Sequence, residues 1–180
     1  MSIREVLEAR LADKSLVLVR PIRGGSKKRK VYVTPKVFEQ LDPQTASDEY
    51  SSSAGHLRAW LDGFTKGRQL RVGERRSRTC KMKRLDPGKD EVWEIRKQDQ
   101  PSVRLFGRFL AKDIFIVTNM ELVSNLFGVE WRRGKLPFWP NWGREIRNCK
   151  AAWRVMFYPY EPHSGSNLND YLSGAVPESR

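Results

Sequence analysis

The chain has 180 residues, which is enough for one domain of ordinary size with a hydrophobic core. Its 34 lysines and arginines exceed its 21 acidic residues and give a formal net charge of +13, which indicates a polyanionic partner, with nucleic acid as the first candidate. No apolar run approaches the roughly 18 residues that cross a bilayer and no long basic amphipathic helix is present, so a membrane partner is not expected.

The sequence also predicts the cellular compartment and whether a cofactor is expected. The first ten residues lack the apolar core of a signal peptide. The two cysteines, Cys80 and Cys149, have neither the spacing of a metal site nor that of a disulfide framework. Asp90, Glu91 and Glu94 lack the spacing of a metal-dependent nuclease site. We therefore expect a cytoplasmic protein with reduced thiols and no metal or other cofactor.

The first fifty residues are predicted to begin with a short helix. Ser2 and Glu5 form the S-x-x-E pattern of a capping box, and the apolar residues that follow recur at helical spacing. A strand over residues 16–19, a second strand over 31–33 and a small helix after Thr34 are predicted next.

The chain is predicted to divide into three parts. Residues 42–53 are polar and poor in apolar side chains, which favours a linker between an N-terminal extension over residues 1–50 and the main domain. The main domain is expected over residues 54–158, and a poorly ordered tail is expected over residues 159–180.

The stretch from Lys66 to Arg84 carries most of the charge excess. It holds nine basic residues and one acidic residue, so nine minus one gives +8 of the total +13. A solvated surface normally mixes the two signs, so this run favours polyanion binding over an ordinary basic surface.

The stretch from Met82 to Asn119 is predicted to form short β-strands joined by tight turns. The predicted strands cover residues 92–96, 103–110 and 114–117. Together with the flanking helices they predict an α+β fold. Its centre is a small antiparallel β-sheet meander packed against N-terminal and C-terminal helices, with an extra N-terminal segment.

The arginines of this meander are candidates to hold phosphate. Arg96 ends one strand, and Arg104 and Arg108 alternate with apolar residues on the next. Guanidinium groups on a sheet face can bind phosphates bidentately and can stabilise the charge that develops in phosphoryl transfer. The alternative is that these arginines form the solvent-exposed face of an antiparallel sheet.

The region after the meander combines tryptophans with basic residues. Residues 131–142 hold three tryptophans, which either stack on unpaired bases or cover the edge of a core, as large aromatics in proline-rich loops commonly do. A helix is predicted over residues 144–156. Tyr158 follows it, either as a group for proton transfer near the sheet or as packing beneath that sheet.

The order of these motifs resembles the RelE/HigB branch of the RelE/ParE toxin superfamily, including its phage-derived members. The resemblance spans about residues 54–158. It is carried by VWEIR at 92–96, VRLFGRF at 103–109, the loop RRGKLP at 132–137 and the helix segment EIRNCKA at 145–151.

The resemblance implies a small α+β domain that binds RNA at the ribosome and cleaves mRNA there as a metal-independent endoribonuclease, held by a cognate antitoxin. By motif position it implies catalytic roles for Arg96 and Arg104, with Tyr158 as the candidate for proton transfer. The predicted nucleic-acid contacts are Lys81, Lys83, Arg84, Arg108, Arg132, Arg133 and Lys135.

Two other functions stay open at this point. A non-catalytic nucleic-acid-binding protein of phage or mobile-element origin predicts binding with a steep salt dependence and no cleavage. A ParE-like gyrase inhibitor predicts DNA-damage signalling with intact mRNA.

Overall fold

A computed structural model describes residues 1–22, 24, 28–73, 80–85, 90–127 and 140–177. The helices are α1 (Ile3–Ala12), α2 (Pro35–Leu41), α3 (Asp48–Thr65), α4 (Val123–Leu126), α5 (Pro140–Phe157) and α6 (Leu168–Tyr171). The strands are β1 (Val17–Leu18), β2 (Lys30–Val33), β3 (Leu70–Gly73), β4 (Met82–Arg84), β5 (Trp93–Lys97), β6 (Val103–Ala111), β7 (Ile114–Leu122) and β8 (Ala175–Pro177).

The described residues form one eight-stranded sheet with the order β1-β2-β7-β6-β5-β4-β3-β8. Strands β4 to β7 are an antiparallel meander, whereas β2 pairs parallel with β7, and β3 pairs parallel with both β4 and β8. The combination of helices and sheet agrees with the prediction from the sequence. The predicted small antiparallel sheet is wrong, because the sheet is mixed and has eight strands within the described residues. The extra strands come from distant parts of the chain, and parallel pairing leaves no local turn signal.

Both ends of the chain contribute to this sheet. Val33 of β2 lies opposite Val117 of β7, so the first fifty residues supply strands to the same sheet as the meander. Helix α3 begins at Asp48, so the polar stretch expected as a linker is helical from that residue onwards. In the tail expected to be poorly ordered, β8 pairs with β3 and the Tyr171 side chain is fully buried.

The predicted helices at the two ends of the domain are confirmed. The Ser2 hydroxyl accepts a hydrogen bond from the Glu5 N–H at 3.3 Å, and the Glu5 carboxylate accepts one from the Ser2 backbone nitrogen, so α1 begins with the predicted capping box. Helix α5 contains the helix predicted over residues 144–156.

Helices cover the sheet on both faces. On one face, Leu61 and Phe64 of α3 belong to a core with Phe115 of β7. On the other face, Trp153 of α5 belongs to a second core with Ile116 of β7 and apolar residues of α1. Because both faces are covered, charged side chains on the central strands are also removed from water.

A β-bulge between Phe106 and Gly107 sets the register of β6 against β7. A Cβ atom at Gly107 would lie 2.2 Å from the carbonyl oxygen of Ile116, so only glycine fits this close approach of two backbones. Beyond the bulge, Arg104 lies opposite Glu121. The bulge therefore fixes which residues of β7 neighbour the arginines of β6.

Over the part of the chain that the structure describes, no helix is long and apolar enough to cross a bilayer. Cys80 and Cys149 are free thiols, and both are buried.

Candidate nucleic-acid interface

Strand register brings three of the predicted basic residues together on one face of the sheet. Lys83 of β4 lies opposite Glu94 of β5, and Arg96 of β5 lies opposite Arg104 of β6. Side chains alternate between the two faces along a strand, so these four residues share a face. The residues between them belong to the core on the opposite face: Met82, Ile95 and Leu105. We call Lys83, Arg96 and Arg104 the cation cluster.

Glu94 lies among these cations and is almost completely buried, with 1% of its surface exposed. The Arg96 Nε atom lies 3.3 Å from Glu94 Oε1, while Arg96 Nη1 lies 3.8 Å from the Cys80 sulfur. Burial raises the pKa of Glu94 above its ordinary value, although the nearby Arg104, Arg96 and Lys83 oppose the shift. Its Oε2 atom has no hydrogen-bond partner among the described residues.

Arg104 is fixed in place by the backbone. Its Nη1 donates to the carbonyl oxygens of Lys97 at 2.9 Å and Val103 at 3.0 Å. Only 7% of Arg104 is exposed, so the alternative of a solvent-exposed sheet face is wrong for this residue. Burial lowers the pKa of Arg104 from its ordinary value, while the charge of Glu94 opposes that shift. This guanidinium is therefore both preorganised and poorly solvated.

Lys83 completes the cluster from β4, and Lys81 flanks it. Burial lowers the pKa of Lys83, and the charge of Glu94 opposes the shift. The Lys81 carbonyl accepts the Arg96 N–H at 2.9 Å, and the Lys81 ammonium lies 3.4 Å from the Gln98 side-chain oxygen. Two lysines and an arginine thus meet at the β4–β5 border.

Strand register sets the cation cluster beside two carboxylates, because Glu94 lies opposite Lys83 and Glu121 lies opposite Arg104. Glu121 accepts hydrogen bonds from Tyr50 and Asn125 at the edge of the sheet, whereas Glu94 lies among the three cations. Poorly solvated positive charges that are concentrated in this way attract anions. The arrangement is therefore suited to bind an anion with several oxygen atoms, of which phosphate is the best geometric match for paired guanidinium groups.

Two arginines predicted to contact nucleic acid are buried in packing interactions instead. Arg84 lies on the opposite face, where its Nη2 is 2.5 Å from Glu91 Oε1 and its guanidinium is 5.0 Å from the centre of the Tyr171 ring. Arg108 is 5% exposed and its guanidinium lies 5.8 Å from the centre of the Trp153 ring of α5. The solvent-exposed face is therefore wrong for Arg108 as well, because α5 covers it.

Tyr158 is not brought to the cation cluster. It follows α5, whose residues Trp153 and Phe157 pack with Leu110 near the C-terminal end of β6, whereas Arg104 lies near the N-terminal end of that strand. The Tyr158 side chain is 82% exposed. It occupies a separate surface from the arginines with which it was expected to act.

The remaining predictions in the basic loop lie outside the described residues: Arg132, Arg133 and Lys135, together with Trp131 and Trp139. The third tryptophan of that stretch, Trp142, packs edge-on against Phe106 with 6.0 Å between the ring centres. For Trp142, the prediction that it covers a core edge is confirmed.

Sequence reasoning missed Glu94 as a member of the site. The two-residue spacing between Glu94 and Arg96 already placed both side chains on one face of a strand. What the sequence did not reveal is that helices cover that face and desolvate the carboxylate. In the described chain, no group of three or more histidine, cysteine, aspartate or glutamate side chains comes together to hold a metal ion.

No protein-family model, no curated protein and no solved structure matches this chain.

Proposed function

We propose that this protein binds RNA through phosphate groups held at the cation cluster. The observation that supports the proposal is the convergence of three poorly solvated cations, Lys83, Arg96 and Arg104, on one face of the sheet. A phosphate brings negative charge to these cations and accepts hydrogen bonds from guanidinium groups. The resemblance to RelE/HigB toxins favours RNA over DNA as the polymer.

The charge distribution along the sequence supports the same proposal. The stretch from Lys66 to Arg84, with its net charge of +8, leads directly into β4, which carries Lys83. A concentration of positive charge along the chain attracts a polyanion over distances of several ångströms and accelerates its association.

The test is the salt dependence of RNA binding. Fluorescence anisotropy with a labelled single-stranded RNA is expected to show affinity that falls with salt, with a log–log slope of about −0.7 for each neutralised phosphate. Lys83→Gln should reduce affinity about tenfold and lower the magnitude of the slope by about 0.7. Lys112→Gln, which removes an exposed charge in the β6–β7 turn, is the matched control. Equal slopes for the two variants would contradict the proposal.

A second candidate function is RNA cleavage of the toxin type, and the position of Glu94 favours it. Cleavage requires a group that takes a proton from the attacking hydroxyl, and a carboxylate with a raised pKa is suited to that task near neutral pH. Arg96, 3.3 Å from Glu94, and Arg104 on the neighbouring strand would stabilise the charge on the phosphorus oxygens. In this proposal Glu94 takes the role that the sequence assigned to Tyr158.

Glu94→Gln separates the two functions. The substitution preserves shape but removes both a negative charge and the proton acceptor, so RNA binding should stay the same or tighten while cleavage is lost. Binding is measured by anisotropy, and cleavage by gel analysis of mRNA with and without ribosomes. Induced expression of the wild type, but not of Glu94→Gln, is expected to arrest growth. Wild-type protein that binds RNA, leaves mRNA intact and permits growth would reject the toxin and retain the binding protein.

A further inference from the structure

A cavity of about 570 Å³ lies at one edge of the sheet, close to the cation cluster. Strand β2 ends at Val33, opposite Val117, whereas β7 continues to Leu122, so this edge of β7 has no strand beside it within the described residues. The cavity is enclosed by this edge of β7 and by residues of α2, α3, α4 and α5. It therefore lies at the carboxyl ends of two parallel strands, where open sheets commonly bind ligands.

Three acidic residues line the cavity, Glu49, Glu121 and Glu145, and the last two are held by donors. Glu145 is 5% exposed, and its carboxylate accepts hydrogen bonds from Asn119 Nδ2 at 2.7 Å and from Arg144 Nε at 3.1 Å. The carboxylate of Glu121 accepts one from the Tyr50 hydroxyl at 3.2 Å. These contacts give the cavity a fixed pattern of donors and acceptors rather than a loose set of charges.

The cavity also offers cationic and apolar groups. Lys36 is exposed at the start of α2, and its side chain makes no hydrogen bond or ion pair with the described residues. Arg144 is half exposed, and its contact with Glu145 is made through Nε. Val37 and Met120 add apolar surface to the same lining.

This combination selects a class of ligand. A bare polyanion is disfavoured by the carboxylates, and an apolar molecule is disfavoured by the amide and carboxylate groups. The lining offers groups for each part of a nucleoside monophosphate: Lys36 and Arg144 are cations for a phosphate, amides such as Asn119 are hydrogen-bonding groups for a base or sugar, and Met120 is an apolar surface for a base. The volume lies within the range of about 300–1,000 Å³ that small-molecule sites occupy.

Strand register connects the cavity to the cation cluster. Arg96 lies opposite Arg104, and Arg104 lies opposite Glu121, which lines the cavity. Two strand spacings of about 4.8 Å each separate the backbone of Arg96 from that of Glu121, so the cavity and the cation cluster are close neighbours. We propose that the cavity holds one nucleotide unit of an RNA chain whose neighbouring phosphate lies at the cation cluster, an inference that rests on the proposed RNA binding.

The experiment uses the full chain and isothermal titration calorimetry with the four ribonucleoside 5′-monophosphates, the free nucleosides and inorganic phosphate. At least one monophosphate is expected to bind with a dissociation constant below about 1 mM, and inorganic phosphate at least about tenfold more weakly. Lys36→Glu should weaken monophosphate binding about tenfold, and Asn125→Ala, which alters the cavity without a charge change, should weaken it less. Lys112→Glu makes the same charge change away from the cavity and should leave binding within about twofold.

Three outcomes would overturn the cavity proposal. These are equal binding of phosphate and monophosphate, equal effects of Lys36→Glu and Lys112→Glu, and monophosphate binding with which a trinucleotide RNA does not compete. RNA binding that responds to Lys83→Gln but not to Lys36→Glu would also reject the cavity while leaving the proposed function intact. Conversely, monophosphate binding that responds to Lys36→Glu, with no RNA binding at Lys83, would reject the proposed function and the link between the sites.

Discussion

The two faces of the β4–β5 border each bury charged residues, but in opposite ways. On one face, the Arg84 guanidinium pairs with Glu91 at 2.5 Å, and the second oxygen of Glu91 accepts a hydrogen bond from the Tyr171 hydroxyl at 2.7 Å. On the other face, the cation cluster surrounds Glu94, whose Oε2 has no hydrogen-bond partner in the described chain. The first group pairs one cation with one carboxylate, and the second does not.

The difference distinguishes charged groups that stabilise the fold from charged groups that are suited to bind a ligand. A buried pair with complete partners stabilises a fold once both charges have been desolvated, and removal of either partner is strongly destabilising. A concentration of poorly solvated cations is instead suited to attract an anion. We therefore infer a structural role for the Arg84 group, and the proposed binding of phosphate uses the cation cluster. Burial also raises the pKa of Tyr171 to about 12, which keeps its hydroxyl protonated as a donor to Glu91.

The largest expected effect on stability comes from breaking the buried pair of Arg84 and Glu91. Arg84→Met leaves Glu91 buried without its cation and should lower the free energy of unfolding by about 3–5 kcal/mol, measured by chemical denaturation. Arg84 is the better choice for substitution because Glu91 has a left-handed backbone with φ of 49°. Arg4→Met, which breaks the exposed Arg4–Glu8 pair, is the matched control and should change stability little. A similar small change for both variants would contradict the structural role of Arg84.

The sequence predicted the local parts of this arrangement. The strands over residues 92–96, 103–110 and 114–117 were predicted because alternation and short turns are local signals, and β5, β6 and β7 occupy those stretches. The same alternation placed Arg104 and Arg108 on one face. The parallel partners of β7 and β3 were not predicted because they come from residues distant in sequence.

The candidate site was predicted less completely than the fold around it. Period-two spacing indicated that arginines share a face, but it does not report burial, so Arg84 and Arg108 were predicted as contacts although aromatic rings cover them. Glu94 and the cavity depend on helices that pack from other parts of the chain. Such features follow from tertiary packing rather than from local pattern.

The pH dependence of stability tests how burial affects Glu94 within the cation cluster. The folded-state pKa of Glu94 lies above its ordinary value of 4.5 because of burial. Between the two pKa values the native state binds the proton more tightly than the unfolded state, so stability contributed by this group falls as pH rises through that window. The stability of Glu94→Gln relative to wild type should therefore increase with pH above about 4.5 and then level off.

Denaturation at a series of pH values measures that difference, and the change should be smaller than the loss in Arg84→Met. Glu8→Gln, at an exposed position of α1, is the control and should give a curve parallel to wild type. A Glu94→Gln curve that is also parallel would show that the carboxylate is adequately balanced by cations in the free protein.

A smaller effect is expected when a cation is removed from the cluster. Lys83→Met removes the repulsion between Lys83 and Arg96 and the cost of burying a charged ammonium group, both of which lower the pKa of the lysine. The free energy of unfolding should therefore stay constant or rise by no more than about 1 kcal/mol. Chemical denaturation of Lys83→Met and Arg84→Met under the same conditions measures the two changes in the free energy of unfolding. Arg84→Met is thus expected to destabilise the fold and Lys83→Met is not, although both remove a cation from β4. A loss near that of Arg84→Met would place Lys83 with the structural charges.

The smallest effect is expected at Tyr158, the residue that the sequence put forward for proton transfer. Its side chain is 82% exposed and follows the end of α5 that packs near Leu110, away from Arg104 on the same strand. Tyr158→Phe should therefore change unfolding free energy by less than about 0.5 kcal/mol and leave RNA affinity and any cleavage rate within about twofold. Cleavage that is abolished by Tyr158→Phe but retained by Glu94→Gln would reverse the assignment. The reacting phosphate would then lie at the end of α5, and the cation cluster would serve binding alone.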